Sequence, residues 1–200
     1  MRIGIIGATG WLGSALGGRL LSLGIAAPHR LVVLNRSGAR PDYHGHPVRW
    51  ARDAADLAAL ADVIVVSVRP QDWPALALRA EGRLVLSFMA GVRAERLRAC
   101  GGRIVRAMPN AAADIGQSWS PWWADADVTD ADRLAVTEIL SAIGTSDQIA
   151  QESQIDLMTA LPGSGAAYPA LMAVAMARFM TDNGLPSDIA WRAAEAAVCG

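Results

Sequence analysis

The chain has 200 residues, 52% of them apolar, and a formal net charge of −1. That length carries one sizeable core or a core with a small appendage, and the balanced charge leaves no footprint of a nucleic-acid or acidic-lipid partner. All 18 basic residues are arginine, which excludes a Schiff base, a lysine general base and the Tyr-x-x-x-Lys pair of short-chain dehydrogenases.

Taken in chain order, residues 2–6, 31–34, 63–68, 84–87 and 104–107 are short runs rich in Val, Ile and Leu. They lack polar alternation, which predicts parallel strands buried on both faces. The first helix places Leu12, Leu16, Leu20 and Leu23 on one face, and 54–61, 73–80 and 94–99 read as further crossovers. A helix is predicted over 131–142, and nothing after Glu152 reads as a strand. Residues 153–200 are rich in Ala and Met, with breaks at Pro162-Gly163 and Gly184-Leu185-Pro186. They predict two helices, the first interrupted near its start, with apolar faces broad enough to require a cover, most simply a second copy of the chain. The fold class is therefore α/β: a doubly wound Rossmann-type parallel sheet over residues 1–150, then a small all-helical dimerisation segment over 151–200.

Cys100 and Cys199 are far apart, and His29, His44 and His46 include one His-x-His pair in a Pro- and Gly-rich stretch read as a solvated loop. Neither set has zinc-ligand spacing, so no metal is expected. Arg2 and the apolar residues after it could imitate a signal peptide, but glycines break the run in strand-turn-helix order. Arg178 interrupts the longest apolar stretch, so a cytoplasmic protein without a membrane partner is expected.

The most informative stretch follows the first strand: Gly7, Gly10 and Gly13 form a Gly-x-x-Gly-x-x-Gly frame that opens the first helix. There, unpaired N–H groups and the positive helix end face a phosphate, and glycine admits the close approach. The alternative is a tight structural bend. After the second strand, where a carboxylate would bind a ribose 2′-hydroxyl, stand Asn35, Arg36 and Ser37. An arginine with amide and hydroxyl donors suits a 2′-phosphate, hence NADP(H); the alternative is an ordinary solvated arginine.

Four segments together resemble the pyrroline-5-carboxylate reductase family, which reduces a cyclic imine to proline with NAD(P)H. Asn35-Arg36-Ser37 resembles its segment after the second strand, and Ser67-Val68-Arg69-Pro70-Gln71 resembles its Val-Lys-Pro-Gln, with arginine for lysine. Arg106-Ala107-Met108-Pro109-Asn110 resembles its Arg-x-Met-Pro-Asn. Residues 156–168, DLMTALPGSGAAY, resemble its Gly-Ser-Gly segment, and Gly184-Leu185-Pro186 follows at a similar distance.

The resemblance implies a cofactor set of Gly7, Thr9, Gly10, Trp11, Leu12, Asn35, Arg36, Ser37, Val68, Arg69, Pro70, Ala90 and Gly91. Asn110 is implied beside nicotinamide and substrate, and Ser164 in the substrate pocket; Glu152 falls on a recurrent family glutamate. It implies a homodimer through the C-terminal helices and a place in proline biosynthesis. The departures are a longer glycine turn, Pro162 for serine, Ala166 for proline, Ala111-Ala112 for Thr-Pro, and bulky Trp119, Trp122 and Trp123. The family pattern also continues past the equivalent of Gly200 with further helices.

Hydride transfer to an iminium needs positioning more than acid–base groups, which agrees with a chain lacking lysine, and with no histidine in a matched motif. Other roles stay open for single residues: Ser164 as a helix cap, Asn110 as a turn residue, Glu152 as a helix-start charge, Tyr168 and the tryptophans as packing. The leading expectation is an NADPH-dependent reductase of 1-pyrroline-5-carboxylate or a related imine. A non-catalytic NADP(H)-binding relative, acting as a sensor or interaction protein, is the alternative. An extended short-chain dehydrogenase or epimerase is a third reading, opposed by the missing lysine.

Overall fold

In a computed structural model of the chain, an eight-stranded sheet has the order β3-β2-β1-β4-β5-β6-β7-β8. Its strands are β1 (Ile3–Ile6), β2 (Leu31–Leu34), β3 (Arg49–Trp50), β4 (Val63–Val66), β5 (Leu84–Ser87), β6 (Arg103–Ala107), β7 (Ser118–Ala124) and β8 (Gly144–Gln148). The first six run parallel; β7 is antiparallel to β6 and parallel to β8. The structure describes residues 1–165 and 167–199. Ala166 and Gly200, two positions where the family resemblance departs or runs on, lie outside the described residues.

Helices α1 (Trp11–Ser22) and α5 (Asp130–Ser141) cover one face of the sheet, packing Leu16, Leu20, Val136, Ile139 and Leu140 against Ile5, Val33, Val65 and Leu86. Helices α2 (Ala54–Leu60), α3 (Trp73–Leu76) and α4 (Ala94–Leu97) cover the other, with Leu57, Trp73 and Leu97 against Ile64, Val85 and Ile104. Burial on both faces explains why these strands read as uninterrupted apolar runs.

Several boundaries differ from the expectation. The helix expected over 73–80 ends at Leu76, because Ala77 takes a left-handed conformation (φ 44°). The turn carries Leu78 and Ala80 into the core, where the Ala80 N–H donates to the Cys100 carbonyl. Strands β3, β7 and β8 were not expected. Strand β8 reads GTSDQ and has no strand-forming pattern of its own; it forms because β7 offers it a ladder. The two sheet edges, a two-residue strand and a polar one, are poor templates for stray pairing. Trp122 is buried in the core and Trp123 packs on its other face, so these two serve packing.

The C-terminal segment comprises α6 (Ser153–Met158), a π-helical turn (Thr159–Gly163), α7 (Ala167–Asp182) and α8 (Ser187–Cys199). Gly184 turns the chain between α7 and α8 at φ 89°. The buried residues of this hairpin are the small Ala177, Ala190 and Ala194, whereas Leu161, Tyr168, Leu171, Met172, Phe179 and Trp191 are exposed. Arg178 does not prevent a long apolar stretch, contrary to the expectation. The run Ser153–Asp182 holds an 18-residue window of mean hydropathy 1.2, long and apolar enough to cross a membrane by length and composition alone. The residues before Arg178, 160–177, carry no charged side chain.

Candidate active site

Strand register gathers the expected cofactor segments at the carboxyl end of the sheet. Ile6 lies opposite both Leu34 and Val66, Val66 opposite Ser87, and Ser87 opposite Arg106. The segments leaving β1, β2, β4, β5 and β6 therefore emerge together, and with them Gly7 to Leu12, Asn35 to Ser37, Val68 to Pro70, Ala90, Gly91 and Asn110. Strand β1 lies between β2 and β4, so the chain crosses over in opposite directions on either side of it. Such a reversal leaves a crevice at the carboxyl ends of the strands.

The glycines of the first turn are there for space and conformation. Gly7 has φ 82°, and a Cβ on it would overlap the Ser67 carbonyl; a Cβ on Gly13 would overlap the carbonyl of Gly7. The N–H groups of Gly7 and Ala8 both donate to the Leu34 carbonyl, at 2.8 and 3.2 Å, anchoring the turn to β2. Gly10 is the N-cap of α1, and no side chain caps the helix. The first-turn donors of α1 are thus left for a ligand, and an anion is what the helix dipole favours there. Trp11, 60% exposed, donates its indole N–H to Asp114 and so ties the helix start to the short turn (Ala111–Ile115) after β6. Leu12 packs inward against the core.

At the end of β2, Asn35 Nδ2 donates to Thr9 Oγ1 at 3.2 Å, while Asn35 Oδ1 is buried without a partner. A buried acceptor calls for a donor, and a ribose hydroxyl at this end of the sheet would supply one. Arg36 and Ser37 are exposed, and the Arg36 guanidinium makes no ion pair among the described residues. The residues present thus fit a phosphorylated dinucleotide. Arg69 is different: its guanidinium pairs with Asp72, the Nε at 3.1 Å.

Asn110 does act as a turn residue: its Oδ1 accepts from the Ala112 N–H at 3.0 Å, and its own N–H donates to Ser118 Oγ. Its Nδ2 has no partner among the described residues. Gly163 lies beside Met108, such that a Cβ on it would come 3.6 Å from Met108 Cγ. The Gly163-Ser164-Gly165 turn therefore sits near the end of β6 and near Asn110. The Ser164 hydroxyl donates to the Thr159 carbonyl at 3.0 Å, closing the π-helical turn. Tyr168 is exposed, with its hydroxyl bonded to the Ala160 carbonyl.

A part-buried ion-pair cluster built on one buried arginine joins this turn to the sheet. Arg106, 1% exposed, donates from Nη1 to Glu152 Oε1 at 2.8 Å and from Nη2 to Asp156 Oδ1 at 3.1 Å. Glu152 Oε1 also accepts the Ala94 N–H at 2.6 Å, and Arg93 approaches Asp156 at 3.8 Å. Glu152 is thus a bridge between β6, α4 and α6. The sequence offered a signal for this cluster, an arginine inside an otherwise apolar parallel strand, which has to find carboxylates.

The stretch holding His44 and His46 is largely exposed, as expected of a solvated loop, but it anchors one residue in the core. Tyr43 is buried, His46 pairs with it through the backbone, and His44 Nε2 lies 3.2 Å from Ser14 Oγ on α1.

Residues 152–200 match the family described as pyrroline-5-carboxylate reductase dimerisation, and residues 2–91 match NADP oxidoreductase coenzyme F420-dependent. A pyrroline-5-carboxylate reductase of Synechocystis is 34% identical, over 100% of this chain and 77% of its own length. That of Pseudomonas aeruginosa is 34% identical, over 96% of this chain and 73% of its own. Among solved structures, a pyrroline-5-carboxylate reductase from Coxiella burnetii superposes with a TM-score of 0.86 at 28% identity, covering 100% of this chain and 77% of that one. The Plasmodium falciparum pyrroline carboxylate reductase with NADP bound shares the fold, at a TM-score of 0.83 and 23% identity, over 100% of this chain and 76% of its own. With its glycine turn, its converging loops and its helical tail in the order these relatives have them, the chain belongs to the pyrroline-5-carboxylate reductase family.

Proposed function

We propose that the protein is an NADPH-dependent reductase that converts 1-pyrroline-5-carboxylate to proline, working as a homodimer through α7 and α8. Family membership supports the activity, and one observation in this chain carries the cofactor: an uncapped helix start beside an orphaned Asn35 acceptor and an unpaired Arg36. The division of labour falls near residue 150, with residues 1–150 binding the dinucleotide and 151–200 building the dimer and part of the substrate pocket.

A bound nicotinamide dinucleotide supplies the hydride. The chain's part is to hold and orient. The amides of the first turn of α1, with Gly7, Thr9 and Gly10, would meet the pyrophosphate, and Arg36 and Ser37 a 2′-phosphate. Val68, Pro70, Ala90 and Gly91 would wall the nicotinamide half. Asn110, through its uncommitted Nδ2, would orient the reacting pair, and the Gly163-Ser164-Gly165 turn would receive the substrate carboxylate. An iminium substrate arrives already protonated, so positioning at van der Waals distance replaces a general acid. This fits the absence of lysine from the whole chain.

Oxidation of NADPH, followed at its absorbance maximum with a panel of cyclic imines, tests the proposal. Turnover with 1-pyrroline-5-carboxylate is the expected result. Tight NADPH binding with no turnover on any imine would reject the reductase and leave a non-catalytic binder.

A further inference from the structure

The connection from β2 to β3 spans residues 35–48 and contains no helix, although a parallel crossover is ordinarily built on one. Irregular connections of this length are uncommon inside a domain. Facing it, α1 carries Gly17 and Gly18 side by side in its interior, where each glycine costs about 1 kcal/mol relative to alanine. The two anomalies fit each other. A Cβ on Gly17 would overlap the Tyr43 hydroxyl, and one on Gly18 would lie 3.0 Å from the His44 ring. The glycine pair is a notch, and the crossover fills it.

The loop is pinned in place by its own bonds. Tyr43 and His46 exchange backbone hydrogen bonds of 3.0 and 3.1 Å, Asp42 Oδ1 accepts the Gly45 N–H at 2.9 Å, and the Tyr43 ring meets His44 and Trp50 edge-on. What this delivers is a phenol, 4% exposed, under the nucleotide turn. Its O–H donates to the Ala8 carbonyl at 2.8 Å, with the Gly13 carbonyl at 3.0 Å sharing the same proton. Ala8 follows the first glycine of the turn and Gly13 closes it. The turn spans seven residues from Gly7 to Gly13, one more than the commoner Gly-x-Gly-x-x-Gly frame, and so has more backbone to restrain.

We propose that Tyr43 is a positioning residue for dinucleotide binding: its hydroxyl holds the two ends of the Gly7–Gly13 turn at fixed separation, so that the amides opening α1 converge on the pyrophosphate. The proposal rests on the nucleotide-binding reading of that turn. Burial raises the phenol's pKa further above its ordinary value, so the donor stays protonated throughout the pH range in which the protein works.

The test is titration calorimetry of the full chain and its Tyr43→Phe variant with NADPH, NADH and adenosine 2′-monophosphate. Removing one bracing hydrogen bond should weaken NADPH and NADH together, roughly 3- to 10-fold. Adenosine 2′-monophosphate has no pyrophosphate and should bind the variant as it binds the wild type. Gly17→Ala, which keeps the hydroxyl but expels the ring from the notch, should give the same pattern. Unchanged dinucleotide affinity in either variant, or equal weakening of all three ligands, overturns the role for Tyr43. Failure of the wild type to bind either NADPH or adenosine 2′-monophosphate instead rejects the nucleotide reading itself.

Discussion

Arg36 is the residue we propose to set cofactor choice. It stands two positions beyond the last residue of β2 with no carboxylate partner among the described residues, so its charge is available to a ligand. Arg36→Ala should weaken NADPH binding roughly 10- to 100-fold, the loss of one charge-assisted hydrogen bond of about 1.5–3 kcal/mol. NADH, without the 2′-phosphate, should be nearly unaffected; fluorescence titration of both cofactors reads the difference, and equal losses would remove the phosphate from this position. Arg69 offers the contrast, since Asp72 already claims its guanidinium. From sequence the two arginines looked alike as site candidates. Only the neighbours placed around each one separate a free charge from a spent one.

At the scale of elements, α5 shows how a helix start and a distant strand are tied by one carboxylate. Thr129 caps α5, accepting the Asp132 N–H at 3.2 Å while Asp132 Oδ2 accepts the Thr129 N–H at 3.0 Å. The same carboxylate takes a bidentate pair from Arg103 at the start of β6, at 2.7 and 2.9 Å. The Arg103 hydrogen bonds, more than the Thr129 cap, hold the Asp132 pKa down to about 2 from 3.8. Because the folded state prefers the ionised form, this contribution is complete above about pH 4 and is lost as pH falls towards 2. Water reaches the Arg103 guanidinium, so its worth is on the order of 1–2 kcal/mol. Asp132→Asn should lower the urea midpoint at pH 6, and the gap from wild type should close between pH 4 and pH 2; a gap independent of pH would deny the ion pair its role. The box of Thr129 and Asp132 joins residues three apart, whereas Arg103, 29 residues from Asp132, has no local signature of the pairing.

The whole molecule is lopsided in its burial. The sheet and its five covering helices bury their apolar residues on both faces, whereas among the described residues α7 and α8 bury only alanines and leave Leu171, Met172, Phe179 and Trp191 exposed. A face of that size on one chain predicts association with a second copy. Sedimentation should show a dimer, and Phe179→Glu, placing a charge on the exposed face without touching the sheet, should shift it to monomer with the nucleotide affinity retained. A wild-type monomer at micromolar concentration would contradict the assembly. The Arg106, Glu152 and Asp156 cluster ties the start of the C-terminal segment to β6.

By itself the sequence determined the parallel strands, the glycine turn, the Asn35-Arg36-Ser37 segment and the helical tail, because each is written in local chemistry: apolar runs, missing side chains, a charge at a strand end. The tertiary structure alone decided what has no local signature. Strand β8 exists because β7 pairs with it, α3 stops early because Leu78 and Ala80 are needed in the core, and Arg106 is tolerated in a buried strand because two carboxylates come to it. The Gly17-Gly18 pair makes the point most plainly. In the sequence it is only a weak spot in a helix; in the fold it is the space that Tyr43 occupies, and space between distant segments is set by packing.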